Sequence, residues 1–267
     1  MCAMQIDLTT DGHVHTKYCH HAHGEMADYA EAALAVGLTR LTFLEHLEVG
    51  INYDEATWLS DTDFAQYRAE GEALREQYRE RIEIGLGVEV GYNPRQVPAI
   101  LAMLNRHRWD RVGISFHYYE IDGRHYNVVS RRKANLEPLA SHGVERVITD
   151  YFATLLAAVE TLPGTVLCHL DAVLRHHPEV RFTAGHQHQI TEILQAMARK
   201  GMALEVNTSG FPHRGEQYPT RAILEEAVAL GIRLEAGSDS HRPSEVGRHF
   251  HRLPDFFTAC RPTVPPA

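Results

Sequence analysis

The chain has 267 residues, 44% of them hydrophobic, enough to bury a full core in one large α/β domain or two small ones. Its formal net charge of -9 argues against non-specific nucleic-acid binding, since a phosphate backbone would be repelled without a basic patch, although bound cations would offset that deficit locally. No apolar run reaches membrane-spanning length, and the first residues lack the basic and apolar regions of a signal peptide. With Cys2, Cys19, Cys168 and Cys260 all isolated, a reduced cytoplasmic setting is expected, with no membrane partner.

In chain order, a first strand is expected to end in Asp11-Gly12-His13-Val14-His15. A helix over Met26–Val36 stops at Gly37, a residue that suits a helix C-terminus, and Arg40–His46 reads as a strand. Ser60-Asp61 suits the cap of a long helix over Asp61–Arg81, followed by a strand over Ile82–Tyr92. Pro94 suits the first turn of a helix over Pro94–His107, and Val112–Tyr119 reads as the next strand. The polar stretch Glu120–Glu137, with Asp122-Gly123 and Ser130-Arg131-Arg132-Lys133, reads as a functional loop or lid, or as a solvated loop with a basic run. A helix over Val144–Leu162, a strand over Thr165–Leu170 and a helix over His186–Lys200 come next. A strand over Ala203–Thr208, a helix over Thr220–Leu230 and a strand over Ile232–Ser238 follow them. Only the proline-rich tail 261–267 reads as frayed. Uninterrupted β-α alternation favours a single domain over 1–267 built as a closed or nearly closed parallel barrel.

The outlier in composition is 19 histidines, and their placement is not random. His13, His15, His46, Glu89, His117, His169, Asp239 and His241 all fall at expected C-terminal strand ends, the rim where the loops of a (β/α) barrel converge. Neutral imidazoles with carboxylates make a site for borderline divalent metals, and ligands scattered along the whole chain mean that the fold assembles the site, as in a catalytic centre. Around it, Asp11, Glu45 and Asp171 either orient imidazoles or cap local backbone. Arg175 and Arg214 are candidates to fork onto phosphate or to hold the far end of a substrate. Cys19 and Cys168 read as small buried side chains, and His176-His177 and His186-Gln187-His188 as surface residues at helix boundaries.

The segments His13-Val14-His15 with His21, Glu45-His46, Gly87-Val88-Glu89, Ser115-Phe116-His117, Cys168-His169-Leu170-Asp171 and Gly237-Ser238-Asp239-Ser240-His241 resemble, in order, the motifs of the polymerase-and-histidinol-phosphatase (PHP) superfamily. Tyr18-Cys19 before the third histidine, and Glu205-Val206-Asn207-Thr208-Ser209-Gly210 with Tyr218-Pro219, are most similar to its monofunctional histidinol-phosphate phosphatases. The resemblance implies a distorted seven-stranded (β/α) TIM-like barrel with three divalent ions (zinc, iron or manganese) at the C-terminal rim. It implies one ion on His13, His15, Glu89 and Asp239, a second on His21, His46 and His241, and a third on His117 and His169 bridged to the first by Glu89. His21 is taken over its neighbours His20 and His23 because its spacing from His15 fits the family. Glu89, Asp239 and His241 are the expected catalytic groups, and Arg214, Arg175 and Asn207 the expected substrate contacts. The implied activity is hydrolysis of L-histidinol phosphate, a small phosphate ester. The alternatives are a phosphoesterase for another small ester (a nucleotide or a sugar phosphate) and a non-catalytic interaction module. Adjacent divalent ions acidify a water and clamp phosphoryl oxygens, which suits a monoester.

Overall fold

In a computed structural model of the protein, strand β1 (Thr10–Val14) pairs in parallel with β2 (Arg40–Glu48), and β2 with β3 (Glu83–Gly91). The sheet continues through β4 (Arg111–Ser115), past an antiparallel hairpin of β5 (Tyr118–Ile121) and β6 (Arg124–Asn127), to β7 (Val166–Leu167), β8 (Ala203–Asn207) and β9 (Leu234–Gly237). Its order is β1-β2-β3-β4-β7-β8-β9, seven strands. The last strand returns to the first: Val14 and Ser240 form a parallel bridge, and the His15 amide donates to the Ser240 carbonyl at 2.9 Å. The sheet is thus a nearly closed parallel barrel. The structure describes residues 6–178 and 180–253; the tail 261–267, expected to fray, lies outside the described residues, as do Cys2 and Cys260.

Helices α1 (Met26–Ala35), α2 (Asp61–Tyr78), α3 (Val97–Leu104), α4 (Lys133–Thr161), α5 (Ala184–Lys200), α6 (Phe211–Arg214) and α7 (Arg221–Ala229) fill the connections. The cap expected at Ser60 is there as a reciprocal box with Asp63, and Thr183 and His186 form another at the start of α5. His186 is therefore not a surface residue: it is 2% exposed, and its Nε2 meets the Thr149 hydroxyl at 2.9 Å. Pro94 lies before α3, whose first turn holds Pro98 instead. The stretch read as a loop or lid over 120–137 is ordered structure. Asp122 (φ 50°) and Gly123 (φ 81°) turn β5 into β6 with both central residues left-handed, the two-residue hairpin signature of Asp-Gly. From Lys133 the chain is already helical, and Gly143 (φ 114°) kinks α4 where the sequence suggested a start. The hairpin is tied to the loop after β2: the His125 amide donates to Asn52 O at 2.9 Å, the Asn52 amide to His125 Nδ1 at 3.0 Å, and Arg124 pairs with Asp54.

Most buried apolar residues lie in one large core, while Leu44, Val166, Cys168 and Ala203 form a small separate cluster on facing strands. A Cβ at Gly113 would collide with the Cys168 sulphur and crowd Leu44, so the strand interior is filled to the point where only glycine fits. Below this cluster Arg111 pairs with Glu235 and lies against Gly12. Truncating Leu44, which is fully buried, should destabilise the protein by roughly 2–5 kcal/mol. Urea unfolding of Leu44→Ala measures this, and a loss well under about 1 kcal/mol would show that the cluster is loosely packed.

Candidate metal centre

The strand ends place the donors because a parallel barrel aligns every C-terminus on one rim. In the β2–β3–β4 register His46 lies opposite Glu89 and Glu89 opposite Gly113, so a histidine and a glutamate face each other at the mouth while the glycine leaves room. His13 and His15, two apart at the end of β1 where its pairing with β2 shifts register between Asp11 and Val14, are both wholly buried. His169 (φ 26°) and Asp239 (φ 53°) hold left-handed backbone conformations just past β7 and β9. Such conformations disfavour residues other than glycine by roughly 1–2 kcal/mol, and they bend these side chains back over the mouth.

The result is a cluster around Glu89, itself fully buried. His13 Nε2 and His15 Nε2 are 3.0 Å apart. They stand 3.5 and 3.7 Å from Glu89 Oε2, and 3.9 and 3.4 Å from Asp239 Oδ1. These separations are close to the edges of a tetrahedron of ligands about one small divalent ion, given bonds of about 2.0–2.2 Å. The other oxygen, Glu89 Oε1, is 2.8 Å from His169 Nε2 and 3.3 Å from His117 Nε2. His46 reaches Glu89 Oε2 through Nδ1 at 3.0 Å, while His21 Nε2 and His241 Nε2 approach each other at 2.8 Å. His15, His46 and His241 offer nitrogens in one compact group. The nine side chains of the implied ligand set are thus brought together, and His20 and His23 are not among them: His20 turns to Asp63 at 3.4 Å.

The electrostatics are those of a cation cradle. Burial would raise Glu89, yet His117, His13 and His46 hold it well below the usual carboxylate range. Asp239 is likewise held well below it, against burial, by His15, His13 and His241, so it is an ionised acceptor and a poor proton donor. Burial, with repulsion from His15, pushes His46 and His241 well below an ordinary imidazole, leaving their lone pairs free to bind. His117 goes the other way: Glu89 and Glu48 overcome burial and push it up to about 10. Glu89 Oε2, His15 Nδ1 and His169 Nδ1 are buried without a hydrogen-bond partner among the described residues. A buried ionised oxygen ringed by imidazole nitrogens and bonded to none fits a divalent cation.

Two residues that the sequence did not single out for this role complete the frame. Glu205 accepts from His13 Nδ1 at 2.5 Å, and Glu48 from His117 Nδ1 at 2.8 Å. Period-two alternation carries the signal: Glu48 lies on the His46 face of β2, and Glu205 on the Asn207 face of β8. Of the three carboxylates left between two readings, Asp11 caps backbone, taking the amides of Ser238 and Gly247 at 2.9 Å each. Glu45 takes the Thr16 amide and hydroxyl and stands 3.8 Å from His15 Nδ1. Asp171 holds Arg214 in a fork at 3.0 and 3.3 Å and accepts the Thr220 amide.

The side chains expected to meet substrate are engaged within the protein. Arg214, forked on Asp171, also lies 4.0 Å over the Tyr218 ring. Arg175 donates from Nε to Val129 O at 3.1 Å and lies 5.9 Å from the centre of the same ring. Asn207 bonds Ser209 through its oxygen and Glu205 through its amide nitrogen, so it ties the frame together. Cys19 and Cys168 are buried thiols, both raised by burial. The Arg214–Asp171 fork predicts strong coupling in urea unfolding of Arg214→Ala, Asp171→Ala and the double variant. The double should fall short of the sum of the singles by roughly 1–3 kcal/mol, and additivity within about 0.5 kcal/mol would mean the two act apart.

Comparison with known proteins agrees with this architecture. The profile of the PHP domain matches residues 11–209. A probable histidinol-phosphatase of Deinococcus radiodurans is 30% identical over 246 residues, 90% of this chain and 89% of that one. The histidinol-phosphatase of Bacillus subtilis is 27% identical over 254 residues, 89% of this chain and 95% of that one. Among solved structures, the histidinol phosphate phosphatase of Lactococcus lactis, complexed with zinc, L-histidinol and phosphate, superposes with a TM-score of 0.75. It shares 21% identity, over 96% of this chain and 94% of that one.

Proposed function

The chain belongs to the PHP domain family, and from that footing we propose that it is a metal-dependent phosphomonoesterase hydrolysing L-histidinol phosphate to L-histidinol and phosphate. The observation that carries the phosphoesterase reading is Glu89, whose two oxygens face two different sets of imidazoles at 2.8–3.7 Å. One carboxylate shared in this way supports adjacent cation positions. The substrate follows from kinship, because the relatives in Deinococcus and Bacillus that align along nearly the whole chain carry that activity in their names.

In this reading His13, His15, Glu89 and Asp239 hold one divalent ion. His21, His46 and His241 would hold a second, and His117, His169 and Glu89 would hold a third. An imidazole-rich donor set takes zinc, iron or manganese, and zinc is the ion named with the Lactococcus enzyme. Bound there, the ions supply Lewis acidity towards phosphoryl oxygens and a water acidified to neutral pH. The protein does the positioning. Glu205 and Glu48 fix the rings of His13 and His117. Arg175 and Arg214, both packed on Tyr218, are the guanidiniums assigned to the phosphate, with Asp171 setting the angle of Arg214. The full set of inward-facing donors speaks against a non-catalytic module. Hydrolysis of another small phosphate ester is the reading that the substrate test below would favour if selectivity were absent.

Protein purified without chelator should carry up to three divalent ions per chain and lose its phosphatase activity on chelation, with activity restored by added metal. Elemental analysis beside activity settles it: one ion or fewer with full turnover contradicts the reading. Selectivity must come from contacts beyond the phosphoryl group, because metals bind any phosphoryl oxygen alike. The kcat/KM for histidinol phosphate should therefore exceed that for p-nitrophenyl phosphate or a nucleoside monophosphate by roughly two orders of magnitude or more. Equal efficiency on those esters would replace histidinol phosphate with a broader substrate class.

A further inference from the structure

The donors differ in how firmly each is held. On one side of the cluster two of the four outward nitrogens rest on buried carboxylates, His13 Nδ1 on Glu205 at 2.5 Å and His117 Nδ1 on Glu48 at 2.8 Å, while those of His15 and His169 are buried without a partner among the described residues. These carboxylates are themselves built in. Glu205 Oε2 accepts the His169 amide at 2.9 Å and the Asn207 side chain at 3.1 Å. Each glutamate also occupies space that a glycine on the adjacent strand leaves open. A Cβ at Gly91 would overlap the Glu48 carboxylate, and one at Gly237 would overlap that of Glu205. His13, His15 and Glu89 are wholly buried, and His117 and His169 are 5% and 4% exposed.

The His21–His241 side is made differently. His21 Nδ1 meets the carbonyl of Cys19 at 2.9 Å and His241 Nδ1 that of Asp239 at 3.1 Å, in each case a neutral acceptor only two residues away. His21 is exposed, on the segment after a single 3-10 turn, Lys17–Cys19, and follows His20 in a left-handed conformation. The His241 side chain is 26% exposed. The nearest carboxylate oxygen to His241 is Asp239 Oδ1, 3.7 Å from the nitrogen that faces away from His21.

We infer that the His21–His46–His241 position gives up its divalent cation first, so that the protein exchanges one ion with solution while keeping a two-ion core on His13, His15, Glu89, Asp239, His117 and His169. The inference rests on the three-position reading above. Three causes act together. An anionic ligand adds direct attraction for a dication, and the core positions have Glu89 and Asp239 while His21 and His241 bring only neutral nitrogens. A carboxylate behind an imidazole fixes its tautomer and raises its basicity, a contribution typically worth 10–100-fold in metal affinity. Exposure admits water, which competes for the ion and lets one ligand swing away before the others. Turnover then follows the free metal concentration over a range in which the core remains loaded.

Zinc-loaded full-length protein mixed with an excess of a chromophoric zinc chelator tests the order directly. The expected record is one equivalent released in a fast phase and two in a phase at least about tenfold slower. His21→Ala should lose the fast equivalent and keep both slow ones. Glu205→Gln should keep the fast equivalent and speed the slow phase by roughly tenfold or more. If that variant does not fold by circular dichroism, Glu48→Gln, which alters the other carboxylate support, takes its place with the same expectation. Release of three equivalents in one phase overturns the order, as does a fast equivalent that survives in His21→Ala. A slow phase unchanged in the folded glutamine variants overturns the role given to the carboxylates. Wild-type protein that takes up one zinc or none overturns the three-position reading itself, a result distinct from single-phase release of three.

Discussion

A carboxylate with no exposed surface, in the mouth of a barrel, has to be compensated, and Glu89 sets the terms for everything around it. Removing an ion from water costs several kcal/mol even after relaxation, and among the described residues Glu89 has no arginine or lysine partner to offset it. Its neighbours are imidazoles, which give nitrogen lone pairs to a cation and carry no obligatory charge of their own. That single choice explains why the rim is built from histidines, why they converge from widely separated segments and why the carboxylate stays ionised despite its burial. The rest of the site keeps those rings facing one point.

The fold meets that requirement by local devices, each with a physical reason. Parallel strands deliver donors to one rim. Left-handed turns at His169 and Asp239 bend two of them inward, at a cost in backbone energy that the surrounding bonds hold in place. Asp11 ties the β9 end and the Gly247 turn to β1, where the nearly closed barrel would otherwise open. Arg248 clamps the same segment, donating to the carbonyls of Ser238 and Asp239 at 2.8 Å each. The Arg214–Asp171 fork does comparable work for the loop after β8, so it joins the segments carrying Tyr218 and His169.

Much of this was legible in the sequence because metal donors are chemically conspicuous and strand ends are periodic. His13, His15, His46, Glu89, His117, His169, Asp239 and His241 stand out as polar residues where β-segments run out, and the structure gathers them. His21 needed the family resemblance, because two other histidines lie within two residues of it and only its direction distinguishes it. Glu48 and Glu205 stayed hidden for the opposite reason. A glutamate in a strand looks like a solvent-facing residue until the sheet closes and shows which face is inside. Polarity hides the hairpin over 118–127, although Asp122-Gly123 carries the turn signal, and the helix expected over Val144–Leu162 is the part of α4 that follows the break at Gly143. Arg214 was recognisable as a fork-former, but its partner, Asp171, is brought to it only by the fold.

The central claim, that one buried carboxylate organises more than one cation position, is tested most directly by the metal content and activity of Glu89→Gln. The amide keeps the volume and loses the charge shared by the imidazoles. The account predicts a folded protein with at least two fewer bound ions than the wild type and turnover reduced by roughly two orders of magnitude or more. A Glu89→Gln protein with the wild-type metal content and near-normal turnover would contradict it.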